Sequence, residues 1–366
     1  MGRGALPIQV LRELVSSKMF VSEGGELIRP GSIDLSLSDE VYRVRGAFLP
    51  SRGETVKEAF KRVGGVRLRG EKILLDKGCC YAILLNERIN KLPQGVYGYC
   101  NPKSSSGRVD IHVRLLVDGC SRYDSVYNSY SGQLWLLVVP KTFPVLVSAG
   151  LSLNQLRFFT ADTRLDELGI EMAFGRGLVY DSEGQMIAYA DQNHSDKDGS
   201  ILLSLGLGFE IPGFEAIETG EPIDLSLKAH YDPKYFFREV RVLNKAIALS
   251  AGTFYILSTK EYVRVPPELA CEMVPMDERS GDLRSHYAGF IDPGWGETKQ
   301  ITGFGRTLTL EVRSFDSGII VADGQPIAKI RYEWMASSPE GHYDEMSPTY
   351  GNQLGPKLGK GFLPWK

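Results

Sequence analysis

A chain of 366 residues, 43% hydrophobic and 24% charged, is long enough for two globular cores and too ordinary in composition for a disordered or fibrous protein. Its formal charge of −3 gives no global pull toward nucleic acid or an anionic membrane, so any anion site has to be local. The most apolar run, Leu134 to Val139, stops at Pro140, far short of a membrane span, and the N-terminus shows no signal-peptide core.

The apolar spacing over residues 8–20 predicts one helix near the start. After it, short β-branched and aromatic runs dominate: Glu40 to Val44, Ile73 to Leu85, Gly132 to Val139, Val145 to Ser148 and Gln155 to Phe159. Gly, Pro, Asn and Asp punctuate them, the pattern of an all-β sandwich or barrel. Runs at Glu239 to Val242, Thr253 to Ser258, Tyr262 to Val265, Thr307 to Arg313 and Ile327 to Tyr332 repeat it. Five cysteines lie in no Cys-x-x-Cys spacing, and the Cys79-Cys80 neighbours sit in an apolar run. Buried thiols in a reducing cytoplasm are the expectation.

The two halves share one frame. An offset of 174 carries Gly78, Tyr81, Glu87, Pro93, Ser106-Gly107, Asp118, Gly150 and Arg157 onto Gly252, Tyr255, Glu261, Pro267, Ser280-Gly281, Asp292, Gly324 and Arg331. A duplication explains this, with copies at 1–170 and 171–366. Gly31 to Leu37 finds its match in Pro222 to Leu227 at an offset of 190, which leaves 190 − 174 = 16 extra residues in the first copy, placed at the basic stretch Thr55 to Arg69. Asp191 to Gly199 reads as an exposed loop, and the Gly- and Pro-rich tail from Ser337 as a flexible arm.

Zinc-assisted deamination needs His or Cys ligands with a Pro-Cys-x-x-Cys pair and a Glu two residues after the His. The five histidines fit no such spacing, and no Walker loop or Gly-x-Ser-x-Gly elbow is present. Lys103 to Arg108 places three hydroxyls between two cations, which suits a phosphate cradle as well as a solvated Ser-rich turn. Glu311, on the strand-like Leu308 to Val312, is either an exposed strand residue or, inside a pocket, a base with a raised pKa. Asp292-Pro293-Gly294-Trp295 is a tight turn or a carboxylate at a pocket rim.

Taken in order, five segments resemble the dCTP deaminase branch of the dUTPase-like superfamily. They are Ile28 to Leu37, Lys103 to Arg108, Ala288 to Trp295, Leu308 to Glu311 and Tyr350 to Pro356. The resemblance implies a mainly β protein made of two tandem dUTPase-like distorted β-barrels of jelly-roll type, with few short helices. It implies hydrolytic deamination of dCTP to dUTP and ammonia without zinc, with Glu311 as general base. Ser104, Arg108 and the Ala288 carbonyl would hold the water. Lys103 and Ser105 would meet the phosphates, Asp292 would contact the substrate, and Tyr350 with Gln353 would close the arm. Mg2+ would enter with the triphosphate, and no protein metal site is implied. The implied partners are dCTP, dTTP as a candidate inhibitor and a homo-oligomer of this chain, with no nucleic acid or membrane. The family often has a basic residue where this chain has Phe290, and Lys299 or Arg306 is the expected replacement.

The motifs are dealt to different halves. Ser104 and Arg108 lie in the first copy, whose position for Glu311 is Leu137, while the second copy has Asp282 where Arg108 would stand. One complete site per chain, at the junction of unlike copies, is the expectation. A dUTPase or a bifunctional enzyme yielding dUMP, using Asp34 or Asp292 as base, and a non-catalytic nucleotide-binding module remain as other readings.

Overall fold

The computed structural model describes residues 2–22, 28–192, 197–276, 283–285, 289–297, 304–314, 317–346 and 353–366. Strands dominate. Helix α1, Ile8–Ser16, buries Ile8, Leu11 and Leu14 on one face and ends before Lys18, which takes φ 56°. Helix α2, Val56–Val63, opens on a capping box between Thr55 and Glu58 and ends at Gly64 with φ 67°, the left-handed position glycine adopts freely. α3 is the single turn Ser104–Gly107, and α4 is Glu167–Phe174.

In the first half, strand Cys80–Ile89 lies between Ile33–Val44 and Gly132–Pro140, and Ser152–Phe159 joins Ile33–Val44 to Tyr97–Pro102. The second half repeats this order. Phe254–Val263 pairs with Arg306–Ser314, and Pro326–Trp334 lies between Ser200–Ser204 and Leu269–Val274. The offset of 174 carries Cys80–Ile89 onto Phe254–Val263 and Gly132–Pro140 onto Arg306–Ser314.

The match at offset 190 is overturned. Ile33 pairs with Leu156, and Ile201 pairs with Ile330, which is Leu156 plus 174. Ser36 donates to the Glu87 carboxylate just as Ser204 donates to that of Glu261. The counterpart of Gly31 to Leu37 is therefore Gly199 to Leu205, at an offset of 168. The second half then carries 174 − 168 = 6 extra residues before Gly252, and Leu202 stands where the first half has Asp34. Ile223–Asp224 instead joins the other half, parallel to Val145–Val147, with Lys72 Nζ 2.6 Å from the Asp224 carboxylate.

The halves interlock. The first core takes in Phe214, Phe236, Phe237, Phe254 and Phe362 from the second. Ala5 bridges Phe159 of one half and Met335 of the other. Arg157, fully buried, pairs with Glu333 and with Glu272 at 3.0 Å, and its guanidinium lies 4.3 Å from the Phe290 ring centre. A cation buried this deeply is stable only with such partners.

Two further expectations are corrected. Cys79 and Cys80 are half-buried, because they stand at the exposed start of their strand, with Cys79 receiving a 3.1 Å contact from Arg43. The tail is docked where it is described. Gln353, Leu358 and Phe362 are buried, and Leu363 N donates to Tyr231 O at 2.9 Å. Part of the loop expected over Asp191 to Gly199 lies outside the described residues. No helix among the described residues is long and apolar enough to cross a membrane.

Candidate active site

A cleft of about 600 Å³ opens between the two halves. Its first-half wall begins with α3. Ser106 Oγ donates to Leu153 O at 2.7 Å, which fastens the turn to the Ser152–Phe159 strand and leaves Ser104 and Ser105 on the cleft. Arg108 closes the turn at 3% exposure and donates to Gln353 Oε1 of the C-terminal segment. Gln353 Nε2 in turn donates to Thr307 O at 3.0 Å, and Gly355 N to Thr307 Oγ1 at 2.9 Å. Thus the arm closes onto its own chain, over the strand that carries Glu311.

Glu311 is the opposing group. It sits in Arg306–Ser314, opposite Ile256 of the neighbouring strand, and is 5% exposed. Burial pushes its carboxyl up to about 7, with the Arg108 charge pulling the other way. Alternation along the strand gives Thr309 and Glu311 the same face, and both line the cleft. The pocket reading of Glu311 therefore prevails over the exposed one.

Asp292 is also buried, and burial foremost raises its carboxyl to about 7, with the nearby Asp34 charge adding and Arg29 and Arg157 opposing. It accepts from Gly31 N at 3.3 Å. Both readings of its turn hold, since Trp295 N donates to Asp292 O at 3.3 Å and the side chain lines the cleft. Gly294 has φ 84°, and a Cβ there would fall 2.3 Å from His342 Cβ, so only glycine fits under that strap. Tyr343, whose ring centre is 5.1 Å from that of Trp295, and Met346 complete this apolar end.

Another part of the lining is basic. Arg29, Lys103, Lys228 and Lys360 form it. Burial lowers the Lys360 pKa, and the charges of Lys103 and Lys228 lower it further. Asp34 takes up Lys103 and, at 3.2 Å, Arg29. Sequence reasoning missed Lys228 and Lys360. They lie just beyond the two motifs at 222–227 and 350–356, and only the docking of those segments brings them to the cleft. Arg306 does not replace the missing charge, because it forms a two-bond pair with Asp344 at 2.6 and 2.9 Å, with both side chains buried. Lys299, Ala288, Tyr350 and Asp282 lie outside the described residues.

The equivalent surface of the first half is filled. Leu137 and Trp135, the counterparts of Glu311 and Thr309, pack against Phe48, Val56 and Ala59, and α2 covers them. Asp118, the counterpart of Asp292, accepts from Val56 N at 2.8 Å, at the start of α2. Part of the basic stretch Thr55 to Arg69 thus occupies what would be a second cleft.

This geometry agrees with what the chain is similar to. Residues 2–162 match the family model for the 2'-deoxycytidine 5'-triphosphate deaminase N-terminal domain, and residues 178–362 match that for its C-terminal domain. The chain belongs to the dCTP deaminase family. A crystal structure of 2'-deoxycytidine 5'-triphosphate deaminase from Agrobacterium tumefaciens is 33% identical, with a TM-score of 0.83 over 93% of this chain and 98% of that one. A search of curated proteins gave no match. The protein is thus an enzyme of the dCTP deaminase type, with the mainly β, dUTPase-like fold and a nucleotide substrate.

Among the described residues no group of His, Cys, Asp and Glu is arranged to hold a metal ion. The groups that face one another across this deaminase's cleft are a carboxylate, a guanidinium and hydroxyls, which together suit proton transfer and anion binding.

Proposed function

We propose that this dCTP deaminase converts dCTP to dUTP and ammonia with Glu311 as general base and without zinc. The observation that carries the reading is the buried Glu311 carboxyl, raised to about 7 and faced by Arg108 and the Ser104 turn from the other half. A carboxyl with that affinity both takes and returns a proton near neutrality.

Water attacks C4 of the cytosine while Glu311 accepts one of its protons and passes it to N3. The remaining hydroxyl proton then travels through Glu311 to the amino group, which leaves as ammonia as the C4 carbonyl forms. Ser104 orients the water, and Arg108 holds the carboxylate in place through its charge. Lys103, Ser105, Lys228 and Lys360 take the triphosphate, with Mg2+ arriving on the phosphates. Asp292 contacts the bound nucleotide from the second-half wall. Roles for the Ala288 carbonyl and Tyr350 rest on the family motif.

Hydrolysis to dUMP would need a carboxylate base beside the α-phosphate. Asp34 is the carboxylate among the basic residues, but its Oδ2 is already taken by Lys103 and Arg29, which leaves it poorly placed to accept a proton from water. The test is a product assay with dCTP and Mg2+, in which nucleotides are separated by chromatography and ammonia is measured. Equimolar dUTP and ammonia are expected, and accumulation of dUMP with pyrophosphate would sink the deaminase-only reading.

A further inference from the structure

Across and behind the cleft, two residues of each half face each other with exchanged charge. Arg108 and Asp110 follow α3 in the first half, and Glu311 and Arg313 alternate along one strand of the second. The Arg108 charge favours ionised Glu311, and the Asp110 charge opposes it. Arg313 grips Asp110 directly, because its Nη2 donates to Asp110 Oδ2 and, at 2.7 Å, to Thr142 Oγ1. Thr142 Oγ1 also donates to Asp110 Oδ2. Asp110 N donates to Gly107 O, and Lys141 N donates to Asp110 O, both at 2.9 Å.

Stability alone accounts poorly for this pair. Asp110 is 0% exposed and adopts φ 55°, a left-handed backbone conformation that most side chains avoid. A buried ion pair is often no better than apolar residues of the same volume. Neither Asp110 nor Arg313 lines the cleft, so neither is placed to touch substrate.

We propose that Asp110 and Arg313 are positioning residues that set the working pH of the base from outside the cleft, with Arg313 masking the Asp110 charge that would otherwise hold Glu311 protonated. The inference rests on Glu311 being the base. The other groups around Glu311 are consistent with this division. Gln353 on the arm is neutral, and Ile256 and Phe254 stand opposite Glu311 and Arg313 on the adjacent strand. Burial and then the Arg108 charge lower the Lys357 pKa, and Arg284 holds the register position of Arg313 on the other edge.

The signs follow from charge. Asp110→Asn removes a repulsion and leaves Arg313 unmasked, so Glu311 ionises more readily and the acid limb of kcat/KM moves down by roughly one pH unit. Arg313→Gln unmasks Asp110, and the limb moves up by a similar amount. Arg313→Lys keeps the charge and the limb. The double Asp110→Asn/Arg313→Gln variant returns between the two singles. Loss of packing alone would shift both single variants the same way or neither.

The experiment is the pH dependence of kcat/KM for dCTP in full-length protein. It is paired with a carboxyl 13C NMR titration in which the Glu311 resonance is the one missing from Glu311→Gln. Opposite shifts of the two single variants are expected. Shifts in one direction, or none, overturn the proposal. Asp110→Asn is nearly isosteric and carries its own sign, so an Arg313→Gln protein that failed to fold would leave the test standing. Wild-type turnover in Glu311→Gln would instead overturn the base assignment, whereas an inactive Glu311→Gln with unmoved limbs overturns only the masking role.

Discussion

Leu137 holds in the first half the strand position that Glu311 holds in the second, 174 residues on, and it is packed beneath α2 where Glu311 faces a cleft. The same strand geometry therefore gives one half a core and the other a cleft. Leu137→Ala should cost about 2–4 kcal/mol of stability by opening a cavity, with kcat unchanged. Chemical denaturation and steady-state kinetics check this, and a large loss of kcat in folded protein would mean that the first-half surface is not merely filled.

Lys228 and Lys360 should carry triphosphate affinity rather than chemistry. Replacing either by Ala should raise KM for dCTP by roughly tenfold, the loss of about one charge-assisted contact, with little change in kcat. Deoxycytidine without phosphates should show no such penalty. A fall in kcat at unchanged KM would place these lysines elsewhere in the reaction.

Much of this site was legible in the sequence because its motifs are local. Lys103 to Arg108, Asp292 to Trp295 and Glu311 each sit in a short run whose chemistry does not depend on distant contacts. The dependence of each half on the other was legible too, since Glu311 and Leu137 share one frame position. What stayed hidden depends on long-range docking. Pro222 to Leu227 copies the wording of Gly31 to Leu37 yet pairs with Val145–Val147, because an Ile-Asp strand suits any open edge. The true counterpart, Gly199 to Leu205, has lost the aspartate that drew attention to the first. Lys360 comes to the cleft only because Phe362 is buried in the first core, and composition alone made that tail look loose.

Stability without ligand should fall as the pH rises through neutrality. Asp292 and Glu311 both have folded pKa values raised to about 7, from ordinary values of 3.8 and 4.5. Protonation therefore favours the folded state. The contribution is full below about pH 4 and is lost as the pH climbs through the folded values near 7. Asp292→Asn and Glu311→Gln should each be more stable than wild type at about pH 8, by about 2 kcal/mol, with the advantage shrinking toward about pH 5. Thermal unfolding across that range reads it, and a constant difference would mean that the carboxyls are not raised.

Gly294→Ala should damage the turn that carries Asp292. The new Cβ would meet His342 at 2.3 Å in a backbone conformation that side chains avoid. A loss of about 2 kcal/mol and a raised KM are expected. An additional His342→Gly change should recover part of the loss. No recovery would show that backbone strain, rather than the clash, dominates.

The central claim is that one carboxylate from the second half does proton chemistry for a site whose other members come from the first. Single-turnover kinetics of Glu311→Gln with dCTP, alongside its dCTP affinity, test this most directly. The expected result is a dCTP Kd within a few-fold of wild type and a rate of dUTP and ammonia formation lower by at least about a thousandfold. A variant that binds dCTP and still deaminates it near the wild-type rate would contradict the assignment and move the base to another residue.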